Sequence, residues 1–232
     1  MMEPVLFYGI PEGCSFGSIV ALEMLGEPYR LVRIEIPEGT QVPEFLGVNP
    51  AGETPALIDA GGNVLTEGVA ILNHIAARGI DKGLGFRQGT AEFDRLNRLL
   101  GFLNTGFFAA FGPYWFALEH LDDEAEKAPL HAMGRKLVAD AHAKLEALLG
   151  GRDWLMGERM SIADAYFAGI ARWNDFHKAI DRAAWPGVAA LYDRLQREPA
   201  AAFAHAIEAG EEPTGSGAFR GHLALGEVKR AA

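Results

Sequence analysis

One cysteine in 232 residues excludes an internal disulfide, so nothing in the chain calls for an oxidising compartment. Cations are scarce too: Lys+Arg 21 against Asp+Glu 31 leaves a net charge of −10. Within residues 1–80 they are Arg30, Arg33 and Arg78 alone, so most of the acidic excess lies there. Nonspecific attachment to nucleic acid or to an anionic membrane surface needs clustered cations, and the balance argues against both. No apolar run approaches the ~20 residues of a membrane span, and the opening MMEPVLFYG lacks both parts of a secretory leader. There is no P-loop and no GxGxxG, so nucleotide binding has no support. His120, His131 and His142 lack a carboxylate–histidine metal spacing. Pro129 is expected to break the helix between them, and they read as helix-face residues rather than metal ligands. These absences predict a cytoplasmic globular protein without a metal.

What is present is a core and a clear change of texture. Half the chain is hydrophobic (49%) and 22% is charged, ordinary for a folded globular protein. Val5–Tyr8 reads as a short strand, and Ser15–Leu25 as a helix with Gly26 as its C-cap. Tyr29–Ile36 reads as a second strand. Pro37–Pro50 is a loop with one turn around Glu44–Leu46, and Pro55–Ile58 and Asn63–Leu65 flank Asp59-Ala-Gly-Gly62 as a hairpin. A helix follows to Arg78. The glycine-rich Gly79–Gly89 predicts a boundary, and the rest is helical. Ala91–Leu121 is interrupted at Gly112-Pro113, a second stretch runs from Pro129 to Leu149, a third starts at Ser161, and shorter ones follow Pro186 and Pro199. The composition shift at Glu211 predicts a tail over 211–232.

Three motifs carry candidate chemistry. Cys14, in Pro11-Glu-Gly-Cys-Ser15, stands at a helix start, where amides and the macrodipole favour an anionic sulfur; the alternative is a buried structural thiol. In Asn49-Pro-Ala-Gly-Glu-Thr-Pro-Ala-Leu57, Pro55 before a strand is either an ordinary trans proline or a cis bond presenting the Thr54 backbone to an extended peptide. In Leu65-Thr-Glu-Gly-Val69, Glu67 suits an ammonium and the amides of Gly68 and Val69 a carboxylate, which together fit the end of an α-amino acid; helix capping alone is the other reading.

Together and in this order, the motifs resemble the cytosolic glutathione transferases over about residues 4–210, most closely the bacterial beta class. That class has a PGACS-like signature and an ALEE-type helix, which stand here as Pro11-Glu-Gly-Cys-Ser15 and Ala21-Leu-Glu-Met24. Ser161-Ile-Ala-Asp164 is similar to the family's capping box, a folding element. The resemblance implies an α/β thioredoxin-like domain over residues 1–80 and an all-α domain over 90–210. It also implies glutathione as substrate, with Cys14 and Ser15 at the sulfur and Thr54, Pro55, Glu67 and Gly68 along the peptide. Phe108, Phe111 and Trp173 would line an acceptor pocket for a small hydrophobic co-substrate, and the protein would be a homodimer. Departures are visible. The beta-class histidine facing the sulfur aligns with Phe108, the family asparagine with Gly101, and no cation follows the second strand. Aromatics are therefore expected to replace the polar side of the pocket.

The resulting expectation is a glutathione-dependent transferase acting by conjugation or by thiol–disulfide exchange, with the Cys14 pKa depressed. A non-catalytic glutathione- or ligand-binding protein of the same fold is the rival, and a glutathione-recycling isomerase or dehalogenase is a third option.

Overall fold

A computed structural model describes residues 2–228. Its sheet has five strands: β1 (Val5–Ile10), β2 (Tyr29–Glu35), β3 (Ala56–Ile58), β4 (Val64–Thr66) and β5 (Phe219–His222). They lie in the order β4-β3-β1-β2-β5, with β1 parallel to β2, β2 parallel to β5, and β3 antiparallel to both β1 and β4. β1 is apolar at nearly every position because both faces of the sheet are covered, as expected where helices flank parallel strands. α1 (Phe16–Leu25) packs against α3 (Gly68–Arg78) and is buried on almost every side, since helices of the second half cover its other flank. Gly26 ends α1 in the left-handed conformation (φ 65). The short α2 (Pro43–Leu46) lies on the opposite face of the sheet, where Phe45 seals a second apolar cluster with Phe7, Val32 and Ile34.

The second half begins with α4 (Ala91–Phe102), which passes into a π-helical turn over Leu103–Phe108 before α5 (Gly112–His120). α6 (Glu124–Leu149) starts under the Asp123 cap and continues straight through Pro129, so the proline does not break the helix as expected. α7 (Ile162–Ala171) is the helical core. Ser161 accepts the Ala163 N–H, and Asp164 accepts the Ser161 and Leu155 N–H groups at 2.9 and 2.8 Å. The short α8 (Trp173–His177), then α9 (Pro186–Gln196) and α10 (Pro199–Glu208) complete the layer. α7 and α10 both lie against α1, and this joins the halves. At the closest point a Cβ on Gly17 would stand 2.6 Å from the Ala165 carbonyl oxygen, so only glycine permits the approach.

Residues 216–228 are not a loose tail, and the last four residues of the expected tail, 229–232, lie outside the described residues. Phe219–His222 returns to the open edge of β2 and pairs with it. Composition signalled polarity correctly, but an edge strand needs only a few backbone partners and one apolar side.

Candidate active site

The cleft between the halves has a volume of about 640 Å³. Cys14, Glu12 and Gly13 form its floor, Ile36, Thr40 and Gly52–Thr54 one wall, and Asn104, Phe108, Trp115 and Trp173 the other. An adjoining recess runs from Cys14 past Thr54 and Pro55 to Glu67 and Gly68.

The loop before α1 sets the thiol. Thr54–Pro55 is cis, and the Cys14 S–H donates to the Thr54 carbonyl at 3.5 Å. Two consecutive residues of the helical half hold the two preceding carbonyls. The Trp173 indole N–H donates to Glu12 O (2.8 Å), and Arg172 Nη2 donates to Gly13 O (3.0 Å). Arg172 is itself buried, paired with both carboxylate oxygens of Glu208 and stacked 4.3 Å over the Phe16 ring. Burial pushes the Cys14 thiol up to about 12, although its own backbone N–H and Arg172 pull the other way. The expectation of a depressed pKa is therefore overturned: loss of water around the sulfur outweighs the local amides.

Ser15 is also misplaced by the sequence reading. It is fully buried, and its hydroxyl oxygen accepts the Gly9 N–H at 3.0 Å, so it ties β1 to the loop and does not line the cleft. Phe111 is likewise interior, packed edge-on against Trp173 and against Phe107. Cys14, Thr54, Pro55, Glu67, Gly68, Phe108 and Trp173 are brought together. Glu67 caps α3 with φ 70, its side chain unused by the helix and lining the recess.

Two polar residues went unread. The Tyr166 hydroxyl, on α7, donates to Asn104 Oδ1 at 2.7 Å, and this turns the Asn104 amide nitrogen away from the tyrosine. Both line the recess beside Cys14, so aromatics have not replaced the whole polar side. The expected asparagine position, Gly101, is exposed with open space around it. Asn104, three residues further on, lies within the π-helical turn and lines the cleft from there. The charged side chains on the cleft are Glu12, Glu53, Glu67 and Glu119, with no cation among the described lining residues.

The N-terminal domain model of glutathione S-transferases matches residues 3–77, and the C-terminal domain model matches residues 106–199. Glutathione S-transferase GST-4.5 of Xanthomonas campestris is 30% identical over 81% of this chain and 91% of its own length. The chain belongs to the glutathione S-transferase family. Among solved structures, a sphingomonad glutathione S-transferase complexed with glutathione is 31% identical, covers 88% of this chain and 98% of its own, and superposes with a TM-score of 0.77. The beta-class enzyme of Sphingomonas chungbukensis is also 31% identical with the same coverage, at a TM-score of 0.75. The thioredoxin-like sheet and the helical half are thus those of a bacterial glutathione S-transferase.

Among the described residues no cluster of three metal-ligating side chains occurs. His142 is core, His131 stacks on Tyr114, and His120 ends α5. No described helix is long and apolar enough to cross a membrane.

Proposed function

We propose that the protein is a glutathione transferase that joins the glutathione sulfur to a small apolar electrophile. The observation that carries this reading is the single recess joining Cys14, Thr54–Pro55 and Glu67–Gly68 across from an aromatic wall. Glutathione would lie extended beside Thr54. Its γ-glutamyl ammonium would pair with Glu67, and its carboxylate would accept N–H groups at the start of α3. The sulfur then stands by Cys14. With its pKa pushed up to about 12, Cys14 keeps its proton near neutral pH and acts as a hydrogen-bond donor to the glutathione thiolate. The thiolate forms the new carbon–sulfur bond, the leaving group takes its electron pair, and the glutathione proton passes to solvent. The Asn104 amide adds a second donor on this side. Because the charged lining is carboxylate throughout, an uncharged or cationic electrophile is favoured over an anionic one.

Thiol–disulfide exchange is the second reading, supported by the position of Cys14 on the cleft floor. Cys14→Ser separates the two: conjugation of an aryl halide should persist within about tenfold, whereas exchange through a mixed disulfide should vanish. Binding itself is tested with Glu67→Gln, which keeps the side-chain shape at a strained backbone position. Losing a charge-assisted bond should cost about 1.5–3 kcal/mol, or roughly 10- to 150-fold in calorimetric affinity for glutathione. Unchanged affinity would remove the γ-glutamyl end from this recess. Glutathione binding by the wild-type chain with neither turnover would favour a non-catalytic binder. The reading includes a cytoplasmic homodimer, and light scattering should report twice the 25.0 kDa chain mass.

A further inference from the structure

Residues 216–228 lie beyond residue 199, where the family-model match ends, and are held at both ends of this stretch. At its start the buried carboxylate of Glu23 accepts the Ser216 N–H at 2.6 Å and the Tyr29 hydroxyl at 2.6 Å, with Gly215 (φ 53) turned against it. The chain then runs along β2, where Arg30 donates to Arg220 O at 2.8 Å and the Leu223 N–H to Leu31 O at 2.9 Å. The Tyr8 hydroxyl and His222 Nε2 lie 3.0 Å apart. Past the strand, Leu223, Leu225 and Val228 pack on the cluster that Phe45 and Val48 complete beneath α2.

α2 is a single four-residue turn, too short to hold itself, so its position is set by what packs on Phe45. The same unit supplies one wall of the cleft. Thr40 and Gly52 stand at its two ends, and Asn49 Nδ2 donates to Glu53 O at 2.7 Å, bracing the turn into Thr54. We propose that residues 216–228 form a strap whose Leu223 and Leu225 are positioning residues for the 40–53 wall of the cleft. They act through Phe45 and without touching the ligand. For glutathione this inference rests on the function proposed above; for the wall itself it does not.

The test is the full-length double variant Leu223→Ala/Leu225→Ala. If the wall holds its binding position in only a fraction of molecules, the KM for glutathione should rise about three- to tenfold. The kcat at saturating glutathione and the KM for the electrophile should not change. Amide exchange over residues 40–53 should quicken while that of α7 stays the same, a split that general destabilisation would not produce. An unaltered KM together with unaltered exchange at 40–53 overturns the proposal. If the double variant does not fold, Leu225→Ala alone carries the same readouts. If the wild-type chain fails to bind glutathione, the functional reading falls separately, and exchange at 40–53 in the variant still decides the strap.

Discussion

The sulfur of Cys14 stands between opposed influences. Its own backbone N–H and the Arg172 guanidinium favour the anion, whereas burial and the carboxylates of Glu53 and Glu67 oppose it. Burial is the largest of these and decides the outcome, because an ion moved from water to the cleft floor loses more than one amide restores. The free protein should therefore react negligibly with iodoacetamide at pH 8, where a thiol near the ordinary 8.5 alkylates readily. A labelling rate equal to that of free cysteine would show that the thiol is not raised. Neighbouring Ser15 makes the same point from the other side: a hydroxyl next to a reactive thiol invites a catalytic role, yet its one described contact is with the Gly9 amide.

Among the elements, α6 carries a buried titratable group at its centre. His142 Nδ1–H donates to Val138 O (2.8 Å), the ring lies against Phe107 and Trp185, and Nε2 has no described partner. Burial pushes its pKa down from 6.5 to about 4. Between those values the unfolded chain binds more protons than the folded one. Stability is therefore full above about 6.5 and is lost as the pH falls toward 4, by at most about 3 kcal/mol. Asp164, raised to about 6 by its own burial, works in the opposite direction over part of that range. The difference between proteins isolates the histidine: His142→Phe should show a smaller drop in Tm between pH 7 and pH 4.5 than the wild type. Equal slopes would mean that this imidazole is not what acid attacks. The π turn after α4 bears on the site directly, since Asn104 and Phe108, both within it, line the cleft.

At the scale of the whole molecule, the site is made by the meeting of two halves. Arg172 and Trp173 reach across to hold the Glu12 and Gly13 carbonyls, and α7 approaches α1 through Gly169 and Gly17. A Cβ on Gly169 would lie 2.9 Å from the Gly17 nitrogen and 3.4 Å from the Cys14 carbonyl oxygen, both rigid backbone atoms. Gly169→Ala should therefore cost about 1–3 kcal/mol. It should also raise the glutathione KM by displacing the Cys14 loop. Wild-type Tm and KM in that variant would mean that the halves adjust to one another freely.

Local physics made much of this protein legible in its amino acids. Alternating apolar residues and Asp59-Ala-Gly-Gly62 specify the hairpin, Gly26 ends α1, and Ser161 with Asp164 caps α7, because each uses partners within a few residues. The backbone placement of Thr54 and Glu67 is legible for the same reason: a strand start and a helix start place backbone groups wherever they occur. Tertiary packing alone decided the protonation of Cys14, the retreat of Ser15 and Phe111 into the interior, the entry of Asn104 and Tyr166, and the return of Phe219–His222 to the sheet. Each of these depends on how much water is excluded or on which segments packing brings together, and no short stretch of sequence contains either quantity.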